Sequence, residues 1–173
     1  MSLESFLAQV SKEDKDKFYE FRNNPEVYRW CRQVDEITRS HHERYWYLVD
    51  TCEDKKFWSI RDMLSEETVG CAGLTDIDYI NRRAEFSLYI AYEHQQKGYG
   101  KEALKRLFDK GFDDYNLELI WGECFDGNHA MKMFLDLGMK QEGTRRNFYF
   151  REGKYIDAHL ISITRDEWKA LDT

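Results

Sequence analysis

A chain of 173 residues, 42% apolar and 16% aromatic, is long enough and apolar enough for one domain of ordinary size with a real core, which excludes an extended disordered chain. Its formal net charge of −7 argues against a nucleic-acid binder, whose footprint is a basic stripe, and suits either a cationic substrate or a surface kept soluble by acidic side chains. The scattered cysteines Cys31, Cys52, Cys71 and Cys124 form no C-x-x-C pair, which argues against a zinc site or disulfide framework and points to reduced thiols in a cytoplasm.

The chain shows no signal peptide, and no apolar run approaches the ~20 residues of a membrane span, so neither membrane nor nucleic acid is expected as a partner. The opening Met1-Ser2-Leu3 is compatible with a cloning remnant. Pro25 is the one proline, and no linker, repeat or low-complexity stretch divides the chain, so 1–173 reads as a single domain.

Glu4–Val10 fits a first strand. Ser11 with Asp14 resembles a capping box, and Phe18 and Phe21 give the following helix an apolar face. Asn24 and Pro25 read as N-cap and first position of a second, short helix with Val27, Trp30 and Cys31 inward. Ser40 with Glu43 is another box, opening a helix that carries Tyr45, Trp46, Leu48 and Val49. His41 and His42 are adjacent and so diverge on a helix, which favours solvated surface over a metal pair. The period then changes: Phe57–Asp62, Thr68–Asp76 and Arg83–Ile90 read as three strands whose short turns make them antiparallel neighbours. Tyr99 to about Asp113 is a helix with Ala103, Leu104, Leu107, Phe108 and Phe112 on one stripe. Leu117–Phe125 reads as a strand, His129–Leu137 as a helix stopped by Gly138, and Phe148–Phe150 with Tyr155–Thr164 as a closing hairpin. The order defines an α+β, or mixed α/β, domain built on one sheet.

The most informative segment is Gln95-Gln96-Lys97-Gly98-Tyr99-Gly100-Lys101, between a strand and a helix. A helix start offers unpaired N–H groups and a partial positive charge, and glycines let such groups converge on an anion, with a diphosphate as a natural guest. A turn that merely needs glycine has the same two residues. Gly98-x-Gly100-x-x-Ala103 also satisfies the dinucleotide fingerprint, with Glu118 at about the right distance. Against it, the loop follows three antiparallel strands, Ala91–Lys97 separates the strand from the first glycine, and too little chain remains for a second parallel half.

Arg83-Ala84-Glu85-Phe86, then Gln95-x-x-Gly98-x-Gly100, then Gly127-Asn128-His129-Ala130 through Leu137-Gly138-Met139 resemble the GNAT acyltransferases, in particular the branch of RimJ/RimL-type and spermidine acetyltransferases. The resemblance runs from about Phe21 to Trp168. It implies a central, mostly antiparallel twisted sheet flanked by helices, with strands splayed near Ile90 and Phe125 to admit acetyl-CoA. It implies that Gln95, Gln96, Lys97, Gly98, Tyr99, Gly100 and Lys101 cradle the diphosphate, that the edge Leu88-Tyr89-Ile90 pairs with the pantetheine arm and polarises the acetyl carbonyl, and that Asn128 contributes on the cofactor side. Acetyl-CoA is then the co-substrate and no metal is required. The acceptor is a small-molecule amine or a peptide N-terminus, with a homodimer left open as an assembly.

The reaction is attack of an amine on a thioester, so something must accept the ammonium proton. Glu85 stands where similar enzymes place a catalytic or substrate-binding carboxylate; a strand carboxylate paired with Arg82 or Arg83 is the plain structural reading. By spacing from Leu137-Gly138, the position of the family's tyrosine acid is Phe134, which has no proton to give, and the asparagine that usually opens this helix falls on Gly127 with Asn128 beside it. Cys124, His129 or Tyr149 are possible substitutes. Arg22–Glu26 and Tyr28–Cys31 resemble the acceptor-side segment, and Trp30, Tyr45 and Trp46 are either pocket or core. The expected activity is N-acetylation of a polyamine or protein N-terminus by direct transfer, with an amino sugar or sugar nucleotide as alternative acceptor and a catalytically weak acyl-CoA-binding regulatory module as the alternative from another class.

Overall fold

In the computed structural model, residues 4–33 and 35–171 are described; Met1-Ser2-Leu3 lies outside them. The chain runs β1 (Ser5–Gln9), α1 (Lys12–Arg22), α2 (Pro25–Tyr28), α3 (Arg39–Thr51), β2 (Lys56–Asp62), β3 (Thr68–Asp78), β4 (Arg83–Ile90), α4 (Tyr99–Asp109), β5 (Leu119–Phe125), α5 (Ala130–Asp136), β6 (Lys140–Arg151), β7 (Lys154–Thr164) and α6 (Arg165–Leu171). The strands form one seven-stranded sheet in the order β1-β2-β3-β4-β5-β7-β6. Every neighbouring pair is antiparallel except β4 and β5.

Local signals set most of the helix starts. The Ser11 hydroxyl accepts from Asp14 N–H and the Asp14 carboxylate from Ser11 N–H, a reciprocal capping box at α1. Asn24 caps α2, with Pro25 at its first position. At α3 the cap is Thr38, whose Oγ1 accepts from His41 N–H, and not Ser40, which falls inside the first turn. The fourth helix is shorter than its apolar stripe, because the backbone widens into a π turn over Lys110–Asp114. Strand β6 begins at Lys140, well before Phe148, and α6 has no counterpart in the sequence reading. Neither element carries a clean apolar period: β6 is an edge strand whose residues are mostly exposed.

Alternation along the strands sends side chains to two covers. Phe57, Cys71 and Tyr89 pack with Phe18 and Trp46 under α1 and α3, where the Phe18 and Trp46 rings stack at 5.5 Å. Their neighbours Trp58, Ala72 and Leu88 join the main core with Leu104, Leu107 and Phe108 of α4.

The central pair opens. Strands β4 and β5 are in register only over Arg83–Glu85 against Leu119–Trp121. Beyond that, β4 stays paired to β3 as far as Ile90, and β5 to β7 as far as Phe125, with no ladder pairing between β4 and β5 among the described residues. A wedge stands where pairing stops. The Phe86 ring lies so close over Gly122 that a Cβ there would meet ring carbon Cε1 at 2.4 Å. The result is a sheet with an unpaired β4 edge facing a slot.

Candidate active site

A cleft of about 600 Å³ follows this slot, lined by β4 from Glu85 to Ile90, by the Gln95–Lys101 loop, by the start of α5 and by the segment after α2. At the loop, Gln95 Nε2 donates to Ile90 O at 3.1 Å and ties the loop to the end of β4. Gln96 has φ +60° and Gly98 φ +98°, so the chain turns through left-handed backbone before α4 begins. A side chain on Gly98 would meet no atom within 4 Å, so glycine serves conformation there, not room. Gly100 is the reverse: a Cβ would sit 3.5 Å from Met133 Sδ and 3.6 Å from Leu88 Cδ2, and anything larger would enter the cleft.

The N–H groups of Tyr99 and Gly100 belong to the first turn of α4 and have no partner within the helix. The Tyr99 side chain is turned to structural use, its hydroxyl donating to Asp62 Oδ2 at 2.7 Å; burial and that carboxylate push the phenol up to about 12. Lys101 lines the cleft and Lys97 is exposed beside it. These features fit a diphosphate with an extended arm: a helix start, left-handed glycine backbone and an unpaired strand edge.

On β4, Leu88 and Ile90 point their side chains to the α4 cover, while Tyr89 lies edge-on to Phe18 at 6.0 Å with the Arg22 guanidinium over its ring at 5.3 Å. Backbone is therefore what this edge offers to the slot. Asn128 lines the cleft, and its Oδ1 accepts from Ala130 N–H at 2.9 Å, closing the start of α5.

Glu85 is buried, but its partner is neither Arg82 nor Arg83. Arg82 binds Glu118 at 2.7 Å, and Arg83 approaches Asp78 at 3.5 Å. Instead Arg32, from the segment after α2, grips Glu85 at two points: Nη1 donates to Oε2 at 3.0 Å and Nη2 donates to Oε1. The same guanidinium donates to Glu123 Oε2 of β5, from Nη2 at 2.9 Å and from Nε at 3.2 Å. Tyr149 donates its hydroxyl proton to Glu123 Oε2 at 2.8 Å and accepts from Arg32 Nε at 3.1 Å. Arg145 donates to the other oxygen of Glu123. Burial alone would lower the Arg32 pKa, but the two carboxylates more than offset it and raise the value. Arg32 and Glu123 were missed in the sequence. Glu123 could have been noticed as a carboxylate within an otherwise apolar strand, whereas nothing local marks Arg32.

Other candidates divide cleanly. Phe134 lines the cleft, buried, edge-on to Phe86 at 5.2 Å between centroids. Among the substitutes for a proton donor, only His129 reaches the cleft, where it packs against Trp30 at 5.7 Å. Cys124 is buried away from the cleft, and burial pushes its thiol up to about 11. The Tyr149 hydroxyl is committed to Glu123, and burial first, then that bond, raises its pKa. Trp30 and Tyr45 line the cleft, whereas Trp46 is core. His41 is exposed, but His42 is not surface: it is buried with Nε2 2.7 Å from Lys15 O, and burial lowers its pKa. Among the described residues, no three His, Cys, Asp or Glu side chains gather where they could hold a metal.

A mixed sheet opened between its one parallel pair, with a glycine loop and helix start at the opening, is the architecture of an acyl-CoA-dependent acyltransferase. The acetyltransferase (GNAT) domain model matches residues 6–140, and the chain belongs to that family. It is an acyltransferase with acetyl-CoA as donor. Similar proteins include an uncharacterized N-acetyltransferase, p20, of Bacillus licheniformis, 25% identical over 166 residues and covering 94% of this chain and 93% of that one. The spermidine N(1)-acetyltransferase of Escherichia coli K12 is 27% identical over 166 residues, covering 95% and 88% respectively. In fold, the spermidine N-acetyltransferase of Vibrio cholerae, solved with CoA and spermine, matches at TM-score 0.90 and 23% identity over 96% of this chain and 98% of that one. Among the described residues, no helix is long and apolar enough to cross a membrane.

Proposed function

We propose that this enzyme acetylates a primary amine of a polyamine by direct attack on acetyl-CoA, with no covalent enzyme intermediate. The observation that carries the reading is the pair of carboxylates at the acceptor end of the slot: Glu85 and Glu123, with side chains 8% and 3% exposed, converge on a single cation. Buried carboxylates require a positive partner, and an alkylammonium has the right charge and donors. The spermidine acetyltransferases among the relatives support the same acceptor class.

Acetyl-CoA supplies the thioester carbonyl and a thiolate that can depart. The chain's own groups would act as follows. The N–H groups at the start of α4 hold the diphosphate, and the unpaired edge of β4 binds the pantetheine arm. An N–H of that edge donates to the carbonyl oxygen as charge develops on it. Glu85, beside Glu123, fixes the acceptor's cationic end, which aims its neutral amine at the carbonyl. Water takes the proton, because Glu85 is committed to the acceptor's held ammonium. Phe134 and Phe86 exclude water from one wall of the slot.

We take 1–173 as one catalytic unit acting in the cytoplasm. The four cysteines are free thiols, which suits a reducing compartment. Assembly into a multimer is part of the reading: a solved relative is dodecameric, and β6 leaves an exposed sheet edge. Light scattering tests the assembly.

The function is tested by free-thiol release from acetyl-CoA against spermidine, a peptide N-terminus and an amino sugar. Turnover with spermidine alone supports the reading. Turnover with only the peptide or the sugar replaces the acceptor, and tight CoA binding without any turnover makes the protein a binding module.

A further inference from the structure

The guanidinium of Arg32 occupies the place that the acceptor reading reserves for a substrate cation. Among the described residues, Arg32 is the one partner of the Glu85 carboxylate, which it meets at both oxygens. Glu123 has a second cation of its own in Arg145, while Glu85 has none. If Arg32 withdraws, Glu123 stays neutralised and Glu85 is left as one buried, unpaired negative charge.

Withdrawal breaks the Arg32 bonds to Glu85, Glu123 and Tyr149 and leaves its backbone in place. The Arg32 side chain is 51% exposed, so solvent can receive it. Its backbone is held separately: Arg151 Nη2 donates to Arg32 O at 2.9 Å, from the hairpin of β6 and β7. The remaining guanidinium of the cleft, Arg22, is directed elsewhere, to Gln33 Oε1 at 2.9 Å and the Tyr89 ring.

We infer that Arg32 is an internal stand-in for the acceptor's cation and sets acceptor specificity, admitting amines that carry a second ammonium able to replace it at Glu85. The inference rests on the polyamine reading and sharpens it. The nitrogen that attacks must be neutral, so the nitrogen held at Glu85 is a different one. A monoamine has nothing to offer Glu85 and leaves Arg32 in place. A diamine or longer polyamine exchanges one charge-assisted pair for another, and its apparent affinity is reduced by the fraction of time Arg32 is bound.

The test compares 1,4-diaminobutane with 1-aminobutane on the intact enzyme, using wild type, Arg32→Ala and Arg32→Gln. Glutamine keeps a hydrogen-bond donor beside Glu85 and guards against collapse of an unpaired buried carboxylate. The expected result is a fall in the diamine KM of about tenfold in both variants, with little change in the monoamine KM. Thermal stabilisation by 1,4-diaminobutane without acetyl-CoA should also be larger in Arg32→Gln than in wild type. If wild type acetylates the diamine but the variants raise its KM, or shift both amines alike, the stand-in is overturned and the polyamine reading survives. If wild type acetylates neither diamine nor spermidine, the polyamine reading falls and the inference falls with it.

Discussion

Phe134 meets Phe86 edge-on, ring centroids 5.2 Å apart, at the point where β4 and β5 part. One ring wedges the strands and the other backs it, in the position where the resemblance calls for a tyrosine acid. A thiol pKa near ~8.5 lets CoA leave partly as thiolate, so an acid helps less here than in amide chemistry. Phe134→Tyr should therefore raise kcat at neutral pH by well under the ~10²-fold of general acid catalysis, with the acetyl-CoA KM little changed. Phe134→Leu is the control. A large loss with leucine and no gain with tyrosine, in steady-state kinetics, would make the ring purely a packing element.

Gly98 and Gly100 should fail for different reasons. At φ +98° any β-branched side chain strains Gly98, so Gly98→Val should displace the start of α4 and abolish CoA binding, while Gly98→Asn, tolerant of left-handed backbone, should retain part of it. Gly100 has ordinary contacts for a Cβ at 3.5 to 3.7 Å, so Gly100→Ala should fold and bind, and Gly100→Val should fold but lose affinity by filling the slot. Calorimetry with CoA, beside melting curves, reads both. Unchanged affinity in both valine variants would move the diphosphate elsewhere.

Asp14 fastens α1 to the sheet. Its Oδ1 accepts from Thr68 Oγ1 at 2.6 Å, and its Oδ2 accepts from Ser11 N–H at 2.9 Å and Arg61 Nη2 at 3.0 Å. Burial pushes its pKa up, but the bonds from Thr68, Ser11 and Arg61 outweigh burial and bring it down to about 2, from an ordinary 3.8. The folded state thus binds this proton less tightly than the unfolded chain. The stabilisation is complete above about pH 4 and is lost as pH falls toward 2, amounting to about 2 kcal/mol. Asp14→Asn should lower Tm by about 5 °C at pH 7 and flatten its fall between pH 4 and 2. A wild-type melting curve for the variant at neutral pH would remove Asp14 from the stability argument.

Local chemistry made much of the fold legible. The box at Ser11 and Asp14, Asn24-Pro25, and the alternation of Arg83–Ile90 are each settled within a few residues. The start of the helix capped by Thr38 is misplaced in the sequence because Ser40 and Glu43 form an equally good local pattern, and only the backbone geometry chooses between them. The long β6 was hidden because an exposed edge strand needs no apolar face. The acceptor end was the least readable part. Glu85 and Glu123 lie 53 and 91 positions after Arg32, and the three meet only because a crossover sets β5 beside β4 and then lets it diverge. Glu85 was visible through a motif, its partners only through topology.

Glu85→Gln separates two roles that the motif alone leaves merged. As a general base, Glu85 would contribute ~10²-fold or more to kcat, and the loss would shrink as pH rises toward the amine's own pKa of ~10, where free amine forms unaided. As a holder of the acceptor's cation, it would act on KM, and the variant's defect would persist across that range for as long as the held nitrogen stays protonated. Both oxygens of Glu85 receive Arg32 N–H donors, so accepting a proton would mean giving up a charge-assisted bond, whereas exchanging Arg32 for an ammonium would not. The expected outcome is a rise in the diamine KM on the order of tenfold or more, the worth of one charge-assisted hydrogen bond, with a smaller change in kcat. The monoamine KM should move little, because that substrate leaves Glu85 with Arg32. Kinetics at pH 7 and pH 9 decide the matter: a kcat defect that disappears at the higher pH makes Glu85 the base, and a wild-type KM and kcat at both removes it from the acceptor site.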